Sequence, residues 1–211
     1  MPHPAYRAGM RVAILDYQAG NATSVLQAVR TAAPQVEASI VSSGADLAAA
    51  DRIIFPGVGA AGSCMANLRS AGFADALRAA VDAGKPVLSI CIGLQLLFAS
   101  SDEDGGTPCL GLLPGTVVRF TPRPGLKIPH MGWSPVTFID EPLADGIPPG
   151  SHFYFVHSYH AVPAPGVRVI ATGEHGATFC AGVRHGSLVA FQFHPEKSGP
   201  AGLRLISNFL R

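Results

Sequence analysis

Lys85-Pro-Val-Leu-Ser-Ile-Cys-Ile-Gly-Leu-Gln-Leu-Leu97 is an apolar strand-like run that stops at a cysteine and continues as a helix-like run opening at about Gly93. A residue at such a corner turns sharply from strand to helix. Small neighbours let the backbone close, and here Ser89 stands two before Cys91 and Gly93 two after it. The side chain then emerges past the C-terminal end of a strand, where open α/β sheets place their ligands. The sulfur also faces a helix N-terminus, whose partial positive charge favours a thiolate. The N–H of Ile92 is placed to meet a negative oxygen in a transition state. Taken alone, the same pattern fits a buried cysteine ahead of a glycine-opened helix.

Upstream of this corner the chain alternates between the two periodicities. Strand-like runs lie at 11–16, 36–41, 52–55 and 86–90, the third stopped by Pro56-Gly57. Helical spacing covers 21–33, with Val25, Leu26 and Val29 on one face, and 63–83, with a break expected at Gly72. Apolar strands without polar alternation are covered on both faces, and strands alternating with helices form right-handed βαβ units on a parallel sheet. Downstream, 105–166 is dense in Pro and Gly, with short β-like pieces at 116–120, 136–139 and 153–159. Runs at 178–183 and 187–193 flank His185-Gly186, a hairpin signal, and 201–210 reads as a closing helix. The expected fold is α/β and three-layered, a mostly parallel central sheet flanked by helices, with β-rich insertions in the C-terminal half. The whole of 1–211 is expected to be a single domain.

Charged residues make up only 14% of the chain and the net charge is +1, which excludes the electrostatic footprint of a nucleic-acid or membrane-surface binder. The longest apolar-rich run, 87–99, is shorter than the roughly 20 residues a bilayer needs, and residues 1–10 hold no signal-peptide core. A cytoplasmic protein is expected. The four cysteines show no C-x-x-C spacing, so Cys64, Cys109 and Cys180 read as inert thiols. His3, His175 and His185 read as surface or turn residues. His130, His152, His157 and His160 cluster only loosely, across several segments.

A thiol nucleophile needs an imidazole and commonly a third group that holds it. His194-Pro195-Glu196 ends the last strand-like run, so its side chains emerge at a strand terminus. Residues two apart in extended chain project to the same face, and the carboxylate is placed to bond the far ring nitrogen and hold the tautomer. By itself the tripeptide also fits a surface His-Pro turn with a solvated glutamate.

Cys91-Ile-Gly-Leu-Gln95 together with His194-Pro-Glu196 resembles the class I (triad) glutamine amidotransferases. Phe55-Pro-Gly-Val-Gly59 occupies the place of their oxyanion strand. Asp16-Tyr-Gln-Ala-Gly-Asn21, Lys127-Ile-Pro-His-Met-Gly-Trp133 and Tyr154-Phe-Val-His-Ser-Tyr159 narrow the resemblance to the glutaminase subunits of imidazole glycerol phosphate synthases, over about 11–211. Other triad glutaminases, serving purine, pyridoxal phosphate or aminobenzoate synthesis, share the chemistry but not this combination of segments.

The resemblance implies that Cys91 attacks the glutamine carboxamide, that His194 moves the protons and that Glu196 orients His194. It implies backbone oxyanion donors at Val58 and Ile92, and substrate contacts at Gly59, Gln95, Ser158 and Tyr159. It implies no cofactor and no metal. The ammonia acceptor is then a separate cyclase subunit of the (β/α)8-barrel type, met as a heterodimer through a face that includes Asn21, Trp133 and Lys197, which makes imidazole glycerol phosphate and AICAR. His157 is expected to line or underlie the substrate pocket. Three positions depart from the usual pattern: Gln18 where Gly is common, Ser134 where Asn is common, and Ser89 where Gly is common.

Overall fold

The computed structural model describes residue 7 and residues 9–211, so His3 and most of the 1–10 segment lie outside the described residues. The N-terminal half runs β1 (Arg11–Leu15), α1 (Ala22–Ala32), β2 (Glu37–Val41), β3 (Arg52–Phe55), α2 (Ala61–Ser70), α3 (Phe73–Asp82), β4 (Val87–Ile90) and α4 (Ile92–Gln95). The C-terminal half is mostly strand: β5 (Ser100–Ser101), β6 (Thr107–Pro108), β7 (Gly115–Arg119), β8 (His130–Pro135), β9 (Thr137–Phe138), β10 (His152–His157), β11 (Tyr159–Pro163), β12 (Arg168–Glu174), β13 (Thr178–His185) and β14 (Leu188–Phe191), closed by α5 (Gly199–Phe209).

Among the described residues one sheet has twelve strands, in the order β2-β1-β3-β4-β14-β13-β11-β7-β5-β6, with β12 and β9 attached beside β13. Its first five strands are all parallel. The extension from β13 through β11 to β7 is antiparallel, as the hairpin at His185-Gly186 requires. Alternation along each parallel strand sends side chains into two separate cores. Val12 and Ile14 of β1 pack with Val25 and Val29 of α1 and Leu205, Ile206 and Phe209 of α5. Ala13 and Leu15 face the opposite core, with Met65 and Leu68 of α2 and Phe73 and Leu77 of α3. Covering a strand on both sides needs unbroken apolar runs, which is why β3 and β4 read as RIIF and VLSI. Among the described residues no helix is long and apolar enough to cross a membrane.

Local signals account for most boundaries. Gly72 takes φ 70° and separates α2 from α3 where the break is expected. The helix expected to open at about Gly93 is only Ile92–Gln95, because the carbonyls of Leu96, Leu97 and Phe98 accept from the 110–113 backbone and Ala99 turns away to bond Gly115. The run expected at 153–159 is two strands that part at Ser158. β10 pairs with β8 in a separate two-stranded ribbon, and β11 enters the main sheet. The periodicity of 130–135 and 168–174 is too irregular to announce β8 and β12; ribbon pairing and a bulge, not an apolar pattern, hold them.

Candidate active site

Four segments meet at the C-terminal edge of neighbouring parallel strands. The loop after β1 carries Tyr17 to Asn21, the loop after β3 carries Gly57 to Gly59, β4 ends at Cys91, and β14 runs into Gln192 and His194. The ladder explains how residues a hundred positions apart become neighbours: Ile90 pairs with Phe191, and the Cys91 N–H continues the ladder to the Phe191 carbonyl at 2.8 Å.

Cys91 sits at φ 56°, ψ −111°, a region that non-glycine residues avoid at a cost of about 1–3 kcal/mol. The ladder bond on one side and the Leu94 N–H on its own carbonyl, at 3.0 Å, hold it there. Gly93 is required by packing: a Cβ at that position would lie 2.4 Å from the Phe55 carbonyl oxygen. The Ile92 amide opens α4 and has no carbonyl partner within the helix. By contrast, burial pushes the thiols of Cys64 and Cys109 up to about 11 and that of Cys180 up to about 12, so these three remain protonated.

The His194 and Glu196 side chains are fully buried, which excludes a solvated turn. His194 Nδ1 is 2.7 Å from Glu196 Oε1. A carboxylate can only accept, so Nδ1 carries the proton and Nε2 is turned towards the nucleophile's side. Asn21 Nδ2 donates to the same carboxylate oxygen at 2.8 Å. Asn21 therefore holds the histidine's partner from behind, a contact that its expected place on the subunit face did not include. Burial opposes charge on the imidazole, but the nearby Cys91 sulfur and Glu196 outweigh it and push His194 up to about 10. Nε2 is buried, and no group meets strict hydrogen-bond geometry with it among the described residues. Its coupling to Cys91 is thus looser than a formed hydrogen bond, as catalytic pairs commonly are before substrate draws them together.

A cavity of about 300 Å³ opens beside the sulfur, lined among others by Val58, Gly59, Cys91, Ile92, Gln95, Ser158 and Tyr159. Every residue expected at the oxyanion or substrate positions lies on it. His157 lines it too, as do Glu103 and Pro129, which sequence reasoning missed. Glu103 accepts from the Ala61 N–H at the start of α2, at 2.8 Å, and burial raises its carboxyl above the ordinary range. Gln192 was also missed. Fully buried, it donates to Cys91 Sγ at 3.8 Å and accepts from Gln95 Nε2 at 2.9 Å. Its only sequence signal is a polar residue inside an apolar strand end.

The Val58 N–H expected at the oxyanion does not point into the cavity. The Val58 N–H donates to the Ala19 carbonyl at 2.8 Å, away from the cavity, while the Cys64 thiol donates to the Val58 carbonyl at 3.8 Å. Gln18, in the same loop as Ala19, takes φ 62°, the left-handed conformation for which glycine is the common choice.

Trp133 is 54% exposed and is not a core aromatic. It meets Tyr154 edge-on across the β8–β10 pair, and Lys197 Nζ lies 5.9 Å above the same tyrosine ring. The histidines divide differently from expectation. His152 is exposed at the start of β10, whereas His175 is half-buried and stacks on His130 at 4.3 Å. His130 bonds His157 at 3.1 Å and Ser134 Oγ at 2.9 Å. Among the described residues no group of three His, Cys, Asp or Glu side chains is arranged to hold a metal ion.

The chain matches the family Glutamine amidotransferase class-I over residues 13–211. It is 49% identical to an imidazole glycerol phosphate synthase subunit HisH from Synechococcus sp. (strain JA-3-3Ab), over 95% of this chain and 93% of that protein. It is 48% identical to the protein of the same name from Methylococcus capsulatus, over 95% of each. The structure of PurLQS from Thermotoga maritima superposes with a TM-score of 0.75 at 21% identity, covering 96% of this chain and 98% of that one, and so shares the fold.

Proposed function

Because the chain belongs to the class-I glutamine amidotransferase family, we infer that it is the glutaminase subunit of an imidazole glycerol phosphate synthase. It hydrolyses glutamine to glutamate and ammonia for histidine biosynthesis and works with a partner subunit. The partner is a (β/α)8-barrel cyclase bound as a heterodimer, which uses the ammonia to make imidazole glycerol phosphate and AICAR. The whole chain acts as one amidotransferase domain, in a cytoplasmic setting.

The observation that carries the residue assignment is the meeting of the Cys91 corner, the buried His194–Glu196 pair and one cavity at a single sheet edge. The Cys91 sulfur attacks the carboxamide carbon. His194 takes the thiol proton and delivers one to the leaving amine, and Glu196, itself held by Asn21, keeps the ring's tautomer and orientation. A glutamyl thioester forms, ammonia leaves, and water activated by the same imidazole releases glutamate. Gln95, Ser158, Tyr159 and the Gly59 backbone hold the substrate. Glu103, the carboxylate on the cavity wall, pairs with its α-ammonium group.

The tetrahedral oxyanion is met by the Ile92 N–H and by Val58 once its N–H is released from Ala19. Releasing it requires the Gly57–Val58 peptide to turn over, so ammonia production waits on the partner. Trp133 and Lys197 belong to the face the partner covers. The decisive measurement is glutamate release with and without the cyclase and its nucleotide ligand, alongside Cys91→Ser. The variant is expected to lose glutamine-dependent synthesis and to retain synthesis from ammonium salts. Loss of both would make Cys91 structural.

A further inference from the structure

Turning a peptide unit over moves both of its ends. When the Val58 N–H leaves Ala19 and enters the cavity, the Gly57 carbonyl swings to the opposite side. There it needs a donor, because a buried carbonyl left without one is penalised. The Tyr17 hydroxyl lies against Gly57. The Tyr17 ring is 2% exposed and packs on Phe55 with ring centroids 5.5 Å apart. Its hydroxyl is buried and meets strict hydrogen-bond geometry with no group among the described residues. A Cβ built on Gly57 would lie 2.0 Å from Tyr17 Oη and 2.6 Å from Ile92 Cγ2. The hydroxyl therefore rests against Gly57 itself, with the Ile92 side chain alongside. Its polar neighbour is the Cys64 sulfur, which takes a long contact from the phenol while its own S–H donates to the Val58 carbonyl at 3.8 Å. Burial, then Cys64 and Cys91, push the phenol well above its ordinary value, so it remains a donor across the working pH range.

We propose that Tyr17 is a positioning residue for the oxyanion strand: its hydroxyl, held at rest only by the long contact to the Cys64 sulfur, donates to the Gly57 carbonyl once the Gly57–Val58 peptide turns its N–H into the cavity. One hydrogen bond, Val58 N–H to Ala19, is broken, and one, Tyr17 O–H to Gly57, is made. The Gly57 carbonyl thereby gains a donor in exchange for the one the Ala19 carbonyl gives up, so the turn does not add a second unpaired carbonyl. The same contact explains why position 57 admits no side chain.

The proposal rests on the glutaminase reading, and the experiment separates the two. Glutamate release by the heterodimer is measured with and without the cyclase's nucleotide ligand, for the unmodified chain and for Tyr17→Phe, which keeps the ring and removes the donor. The ratio of stimulated to basal kcat is expected to fall about tenfold in Tyr17→Phe, the worth of one hydrogen bond. The KM for glutamine and the synthesis from ammonium salts stay as they were. Full stimulation of Tyr17→Phe overturns the proposal, and so does an equal fall in basal and stimulated rates, which would mark a packing role. An unmodified chain that releases no glutamate in the complex overturns the glutaminase reading itself. As a measurement independent of that variant's folding, 3-fluorotyrosine at position 17 should show a 19F resonance that moves when the nucleotide ligand is added to the complex. A resonance that stays in place overturns the assignment.

Discussion

Gln192 bears no charge, yet its amide joins Cys91 to Gln95 on the cavity wall. One end donates to Cys91 Sγ and the other accepts from Gln95, whose amide nitrogen also bonds the Tyr159 carbonyl at 3.0 Å. Two donors committed on Gln95 leave its amide oxygen as the group that can face substrate. Gln192→Leu should therefore lower kcat/KM for glutamine by roughly 10–100-fold, in line with the loss of supporting contacts around a site. An unchanged kcat/KM would reduce Gln192 to core packing. Glu196→Gln frees the imidazole to adopt the wrong tautomer, and kcat should fall by about 10³–10⁴. Asn21→Ala removes one bond to Glu196 and should cost about tenfold. If Asn21→Ala instead left the rate intact and weakened only subunit association, its contact with Glu196 would be incidental. Cys91 and His194 were legible because a strand-to-helix corner and a strand-end His-Pro-Glu are local patterns. Gln192 and Glu103 were not, because each acts through a neighbour that only folding supplies.

The β8–β10 ribbon is an element held by neutral histidines. His157 Nδ1 bonds the Tyr159 carbonyl at 2.7 Å, His157 Nε2 meets His130 Nδ1, and His130 Nε2 meets Ser134. A carbonyl accepts only, so His157 carries its proton on Nδ1, His130 then donates from its own Nδ1, and Ser134 donates to His130. Burial lowers His157 to about 3 and His130 to about 4, with neighbouring histidines adding to the shift. Folded values below the ordinary 6.5 mean that the unfolded chain binds more protons in that window. The stability these groups contribute is present above about 6.5 and is lost as pH falls towards 4. His194 has the opposite sign: raised to about 10, its contribution is present below 6.5 and is lost as pH rises through 10. Thermal unfolding followed from pH 7 to pH 4 should show a falling midpoint, and His157→Gln should flatten that slope. An equally steep slope in His157→Gln would assign the acid sensitivity elsewhere. On the ribbon's outer side, Trp133 and Lys197 flank Tyr154. Large exposed aromatics at an interface centre cost about 2 kcal/mol or more on truncation. Trp133→Ala should weaken the heterodimer by a factor of about 30, measured by calorimetry, with the fold unchanged.

At the scale of the molecule, one sheet does two jobs: its parallel half gathers Cys91, His194 and Gln192 at one edge, and its antiparallel half, with the ribbon, walls the cavity beside the sulfur. With Val58 as the proposed oxyanion donor held by Ala19, glutamate release should rise by at least about tenfold when the cyclase and its ligand bind. A high rate without the partner would show that the Val58 N–H is not needed. The apolar runs, the glycines at 72 and 93 and the hairpin at His185-Gly186 determined the parallel core and most of its helices, because these signals act within a few residues. Residue order also determined which cysteine and which histidine stand at strand ends. The tertiary structure alone decided that β4 lies beside β14, which brings Cys91 to His194. It alone decided that the Val58 N–H turns to Ala19, that Trp133 faces outward, and that the Tyr17 hydroxyl rests on Gly57 beside the Cys64 sulfur. Each of these is a contact between segments far apart in the chain, and its free energy depends on what surrounds the pair after packing, which no local pattern encodes.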